Sequence, residues 1–439
     1  MTGEKRYPPP MLAWSIWGLG GLLYLLGFYQ RVAPAVMTSE LMADFSTGAA
    51  GLGNLSACYY YSYVAVQVPT GLLADAWGPR RLLTGGAILA SAGTVLFALA
   101  PTLLWANLGR VFIGGAVGVA FVAFLKLATH WLPPSRFATA SGLALFFGVF
   151  GAVTAGVPLR VLIDYMGWRP AMLASGGITL ALAASTWIFV RDDPSAKGFL
   201  SFAPNDPTDS RRARRLSPLV GLGRIFRYRN TWLFFLDPGG LVGPILSFAG
   251  LWGVPFLQVR FGLAPTAGAA VCSALMVCWA VGGPVLGSLS DRIGRRKPLY
   301  LAGCLVAAMC WALAIFIPGL PLEVFLVLIG FIGLASGGVM IGFAFSKESV
   351  PPNLAGTVVG VVNMGHMMAP TLLQPAIGWV LDRMWTGQML GGVRVYHVEA
   401  FQAGFSLMLA WSILSCLFIS LTKETFCGQV SAEEGAKRG

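Results

Sequence analysis

Charge is scarce in this chain. Asp, Glu, Lys and Arg make up only 11% of its 439 residues, against about 25% in soluble domains, so most of its surface cannot face water. Histidine is scarcer still, at three residues, and nothing of the His-x-x-x-His kind is present to hold a metal. Of the seven cysteines, Cys58, Cys272, Cys278, Cys304, Cys310 and Cys416 lie inside apolar stretches and Cys427 in the tail. They have no metal-ligand spacing and read as small apolar residues. Paired carboxylates and a Ser/His pair, which an intramembrane enzyme would need, are missing too. So is a Gly-rich loop ending in Lys-Ser/Thr, which would cradle a nucleotide. These absences argue against an enzyme, an ATP-driven pump, and a bound metal or cofactor. No small-residue cleavage site follows the first apolar stretch, which therefore reads as a retained helix.

Apolar sequence fills the chain instead: 56% of it is hydrophobic, with mean hydropathy +0.72. Runs of about 20 residues, enough to cross roughly 30 Å of hydrocarbon as helix, recur near 11–37, 51–74, 82–100, 102–130, 136–160 and 168–190. Six more follow near 230–258, 264–290, 298–317, 322–347, 354–382 and 400–421. Between the two sets lies "RDDPSAKGFLSFAPNDPTDSRRARRLSPL", polar, basic and rich in Pro and Ser. The pattern predicts an all-α, polytopic membrane protein of twelve transmembrane helices. Its parts are a six-helix bundle over 1–190, a linker over 191–229, a second bundle over 230–421 and a tail over 422–439. Within the linker, "LVGLGRIFRYR" reads as a short amphipathic helix on the membrane surface. The net charge of +12 sits in the linker and in gaps on one side of the spans. The positive-inside rule makes that side, and both termini, cytoplasmic. It implies a bilayer and no nucleic-acid partner.

Two stretches repeat half a chain apart. "TGLLADAWGPRRLL" (Thr70 to Leu83) and "LGSLSDRIGRRKPL" (Leu286 to Leu299) share Gly-x-Leu-x-Asp-x-x-Gly-x-Arg. "LPPSRFATASG" (Leu132 to Gly142) is echoed in the same way by "VPPNLAGTVVG" (Val350 to Gly360). Gly71 and Gly287 would let helices approach closely. Asp75 and Asp291 could cap a helix N-terminus, where a carboxylate meets the positive end of the dipole. Arg80, Arg81, Arg295 and Arg296 would hold the loop inside and pair with acidic groups. These copies resemble the loops between helices 2 and 3 and between helices 8 and 9 of the major facilitator superfamily, and the resemblance covers essentially the whole chain. It implies two pseudo-symmetric bundles with the solute site at the midplane. It also implies that these eight residues form a cytoplasmic latch. The first copy departs from the family's pattern, with Ala76 and Pro79 where basic residues are common.

An ionisable side chain within a span costs roughly 2.5–3.5 kcal/mol on insertion scales and is a functional candidate by default. Arg31, in "GFYQRVAP", is the first. Its surroundings, with Tyr63, Gln67, Pro69, Gly71 and Asp75 on the next span, resemble the anion:cation symporter branch of the superfamily. That likeness implies that Arg31 binds a substrate carboxylate through its fixed bidentate donors; snorkelling to the interface is the alternative. Where the branch has an aspartate this chain has Gln30, so proton coupling cannot be carried over from helix 1. Asp237, in "FFLDPGGLVGP", is the alternative proton carrier, because a desolvated carboxyl can load and release protons near neutral pH. Pro238 and the glycines after it predict a local break in helix 7. Arg110 matches the superfamily's helix-4 Arg-x-x-x-Gly run and has no arginine counterpart in helix 10, which suggests coupling or substrate binding. Lys126, one turn before His130, could meet the anion near the inner end of helix 4, with a lysine snorkelling to the interface as the favoured alternative. Lys347 and Glu348 end helix 10. Tyr59 and Tyr63 share a face with Gln67 and could hydrogen-bond the solute. Asn363, His366 and Gln374 fall on helix 11, where polar groups imply a cavity or interhelical bonds. Trp252 could gate the site from helix 7.

The expected function is secondary transport of a small organic anion by alternating access, as proton-coupled import by a monomer in a bacterial inner membrane. An efflux antiporter is the alternative, although "FGVFGAVTAGVPL" in helix 5 lacks the Gly-Pro pair of family antiporters. Gln30 leaves an uncoupled facilitator open.

Overall fold

A computed structural model describes residues 6–203 and 223–429. Ten helical stretches among the described residues are long and apolar enough to cross a bilayer. At 1.5 Å rise per residue, helices of 20 to 29 residues span about 30 Å or more. The long elements of the first half are α1 (Pro10–Val32), α2 (Ala49–Trp77), α3 (Pro79–Leu99), α4 (Leu103–Gly118, continuing as Ala120–Trp131), α5 (Phe137–Thr154, then Val157–Met166) and α6 (Trp168–Phe189). Those of the second are α7, in pieces from Arg229 to Phe261, then α8 (Pro265–Ile293), α9 (Lys297–Phe316), α10 (Leu322–Ser336, then Val339–Glu348), α11 (Ala355–Arg383) and α12 (Val398–Ser420). Each expected span finds its helix, and the ends move by a few residues. Two 29-residue helices, α2 and α11, are not among the ten apolar stretches. They carry Ser56, Tyr59, Tyr63 and Gln67 on one and Asn363, His366 and Gln374 on the other. The surface helix expected around Leu219 to Arg229 lies partly outside the described residues.

By contacts the chain divides into two compact units, residues 1–31 with 58–215 and residues 32–57 with 216–439. The division runs through α1 and α2, whose adjoining ends, together with a short helix at Thr38–Asp44, pack with the second half. In the first unit Trp17, Phe124, Leu127 and Trp131 lie in one buried cluster. In the second, Phe248, Phe256, Phe401 and Phe405 form a ring cluster with centroids 5.1 to 6.0 Å apart.

The same capping device closes both halves. Gly78 and Gly294 hold φ of 79° and 71°, a left-handed conformation suited to glycine. Each ends a helix just before the next begins. In the first unit Asp192, just after α6, accepts from the Arg80 amide at 2.6 Å. In the second unit Glu424, just after α12, accepts from the amides of Arg296 and Lys297, each at 3.0 Å. An acidic residue following the last helix of each half thus caps its third helix, satisfying amides that have no partner within the helix. Asp192→Ala and Glu424→Ala should each cost about 0.5–2 kcal/mol of stability. The two sites share no partner, so the double variant should lower the melting temperature in detergent additively.

Candidate functional site

In the first unit the site begins with α1. Its last turn carries Arg31, 1% exposed, at the helix end whose dipole favours a cation. The guanidinium lies 4.2 Å over the Phe28 ring, 5.2 Å from Tyr63 and 5.7 Å from Tyr59. Its Nε has no hydrogen-bond partner. Arg110 of α4, also 1% exposed, lies 5.1 Å from the same Tyr59 ring. Its Nη1 donates to the Gln30 carbonyl at 2.6 Å, while Nε and Nη2 are unpartnered. The Gln30 side chain donates to Thr94 at 3.2 Å. Tyr59 is held by its hydroxyl, which donates to the Gly27 carbonyl at 3.1 Å, and by Tyr63 stacked 6.1 Å away. Two buried guanidinium groups therefore flank one phenol, and among the described residues no carboxylate pairs with either. Each such cation carries a desolvation penalty of several kcal/mol, which ring faces offset by only about 0.5–2 kcal/mol. The arrangement has room in its energetics for an anion.

Close helix contact sets this geometry. A Cβ at Gly114 of α4 would lie 1.9 Å from the Tyr59 carbonyl, so only glycine lets α2 bring Tyr59 between the two arginines. Gly114→Val should cost about 1–3 kcal/mol through overpacking and weaken anion binding as Tyr59 is displaced. Melting temperature and anion affinity together check this.

The other expected residues of the first unit lie elsewhere. Gln67 donates to the Gly118 carbonyl at 3.5 Å, a long contact. Lys126 donates to the Ala74 carbonyl at 2.8 Å. His130 pairs with Asp193 at 2.9 Å, and Arg80 packs on Trp187 at 4.1 Å. Arg81 is exposed. Gly71 and Asp75 sit on α2, but their side chains fall outside the described residues.

In the second unit α7 is interrupted, as Pro238 and its glycines predicted. The interruption is a 3₁₀ turn at Asp237–Gly240, and a π turn follows at Phe248–Trp252. Asp237 is fully buried. One carboxyl oxygen accepts from the Tyr300 hydroxyl of α9, and the other has no partner. Ser415 of α12 donates to the Asp237 carbonyl at 2.5 Å and accepts from the Gly240 amide at 3.1 Å. Trp252, 2% exposed, donates to the Gln374 carbonyl at 3.0 Å, and the Gln374 amide donates to the Leu246 carbonyl at 3.0 Å. His366, 2% exposed, packs on Phe343 at 4.6 Å, with no hydrogen-bond partner at Nε2. Asn363 is half-buried.

The second motif copy needs two corrections. Arg296 bonds Asp291 and reaches Glu348 at 2.8 Å, and Thr425 donates to Glu348 at 2.6 Å. Asp291 is thus an ion-pair partner, and the helix cap expected of it is Glu424. Among the described residues nothing lies within 4 Å of a Cβ at Gly287, so this glycine mediates no close helix contact there. The Arg295 guanidinium lies 5.9 Å from the Phe426 ring, and its carbonyl accepts from the Ser290 hydroxyl at 2.9 Å. Burial alone would lower the Arg296 pKa, but its hydrogen bonds to Glu348 and Asp291 outweigh this and raise it above its ordinary value. Sequence reasoning missed Glu424 and Asp192 because an acidic residue after a helix carries no local signal of which amides it will reach.

The fold is that of a multi-helix membrane protein, and among the described residues its buried arginines Arg31 and Arg110 have no carboxylate partner. The Major Facilitator Superfamily description matches residues 19–372 and 240–426, and the chain belongs to that superfamily. It is 23% identical to an uncharacterized transporter of Bacillus subtilis, over 93% of this chain and 94% of that one. It is 25% identical to a probable sulfoacetate transporter of Cupriavidus necator, over 86% and 91%. In fold it is similar to a bacterial homolog of the human lysosomal transporter Spinster, with TM-score 0.77, 17% identity, and 94% and 97% of the two chains covered. The protein is a transporter and not an enzyme.

Proposed function

We propose that this transporter moves a small organic anion by alternating access, importing it with a proton. One observation carries the reading: Arg31 and Arg110 are buried against one tyrosine, and among the described residues no carboxylate lies between them. An entering carboxylate or sulfonate would complete the pairing in low dielectric, where charge-assisted bonds are strongest. The sulfoacetate relative supports an anionic solute. Tyr59 and Tyr63 supply neutral hydrogen-bonding groups for the rest of the molecule. Asp237 is the proton-carrying group of this reading, and Arg110, which holds the Gln30 carbonyl, links the anion to the end of α1.

The test is uptake by proteoliposomes under an imposed pH gradient. Accumulation of a carboxylate or sulfonate is expected. Export of lipophilic cations with no anion accumulation would give the antiporter reading instead. A second reading, an uncoupled facilitator, rests on Gln30, an amide where the symporter branch has an acid; anion flux indifferent to the gradient would establish it. By the charge asymmetry of the loops, the termini face the cytoplasm.

A further inference from the structure

The first two turns of α2 do not rest on their own half of the chain. Asp382, next to the last residue of α11, receives their amides: Ala49 donates to one carboxylate oxygen at 3.1 Å and Ala50 to the other at 2.9 Å. The Tyr396 hydroxyl, from the segment before α12, donates to Asp382 at 2.6 Å and accepts from the Ala49 amide at 3.0 Å. Arg394, on the short hairpin of Met389–Leu390 with Val393–Arg394, completes the cluster at 3.1 Å. Around this cap the chain packs closely, backbone against backbone at Gly53 and Gly378 and backbone against the Asp382 and Arg394 side chains at Gly48. A Cβ at Gly48 would lie 2.6 Å from the Asp382 carboxylate, one at Gly53 2.5 Å from the Gln374 carbonyl, and one at Gly378 2.2 Å from the Ala49 carbonyl. At Gly53 and Gly378 the nearest atoms are all backbone, with no side chains interlocked, so the contact there is close yet separable.

The duplicated chain supplies an internal comparison. Asp164 stands as far beyond Leu132 as Asp382 stands beyond Val350, in the two echoed stretches. Yet Asp164 is 52% exposed and bonds Arg160 of its own helix. One copy of the duplicated acid clamps a helix end, and the other pairs within its helix.

We propose that Asp382 is a releasable latch. Engaged, it holds the start of α2 on α11. Its release frees α2, the helix that carries Tyr59 and Tyr63, and is a step of the transport cycle. The charged cap supplies the stability of the α2–α11 contact, and the backbone contacts at Gly53 and Gly378 supply its ability to part.

The experiment uses the full chain in proteoliposomes, with hydrogen exchange read on the peptide covering 49–57. In parallel, a variant keeping Cys58 as its sole cysteine is labelled with a cationic, membrane-impermeant methanethiosulfonate. In Asp382→Ala the 49–57 amides should exchange about 3- to 30-fold faster, as loss of a helix cap implies, and Cys58 should label faster. Tyr396→Phe, which leaves the carboxylate in place, should shift both readouts the same way by less. Asp164→Ala should leave both as in the wild type. Unchanged exchange and labelling in Asp382→Ala would overturn the latch. So would a rise spread equally through α8 and α9, which would mark general loosening.

Discussion

Arg31→Ala should remove anion binding while leaving the protein at least as stable as before. Truncating one partner of a buried charged pair costs about 2–5 kcal/mol of binding, or roughly 30-fold to over 1,000-fold in Kd. The stability side has the opposite sign, because the arginine is buried with no carboxylate partner among the described residues and its removal relieves a desolvation penalty. Arg31→Lys should recover part of the affinity, since it keeps the charge but loses the planar fork. Binding of a panel of carboxylates, sulfonates and phosphates, with melting curves on the same samples, checks both signs. Equal binding by wild type and Arg31→Ala would demote Arg31 to an interfacial anchor.

Asp237→Asn should separate binding from driving force. The amide has nearly the same shape and can still accept from Tyr300, so α7 should keep its 3₁₀ turn, which Ser415 holds through backbone atoms. What is lost is the proton. Anion affinity should stay within a few-fold, whereas uptake driven by an imposed pH gradient should fall to the level of leak. Counterflow exchange of labelled for unlabelled anion, which needs no net proton movement, should persist. Uptake unchanged by the substitution would exclude Asp237 as the carrier. Tyr300→Phe leaves the carboxyl with no hydroxyl donor from α9 and should move the pH profile of uptake without abolishing it.

The long helices were legible because membrane burial writes itself into composition. A segment that must satisfy its backbone in lipid becomes helix wherever about 20 apolar residues run together. The break in α7 was legible for the same local reason, since Pro238 and the glycines beside it cannot continue a helix. Arg31 and Arg110 stood out as charges in apolar surroundings. Their convergence on Tyr59 did not, because it depends on how closely α2 approaches α4 at Gly114. Asp291 shows the opposite failure. Its place in a repeated motif suggested a helix cap, yet a carboxylate takes whichever donor the packed chain brings nearest, and here that is the Arg296 side chain. Lys126, read as a residue in the path of the anion, donates to the Ala74 carbonyl.

Sequence alone determined that this chain lives in a bilayer, that it is two copies of a six-helix plan, and that its apolar spans carry arginines that hydrocarbon cannot solvate. Each of these follows from composition and spacing, which act along the chain and need no partner. Tertiary structure decided which groups meet: two arginines across one phenol, Asp237 against Tyr300, and Glu424, Asp192 and Asp382 on amides from distant helices. Hydrogen bonds and charge pairs reach only a few ångströms, so residues far apart in sequence acquire partners only when helices pack.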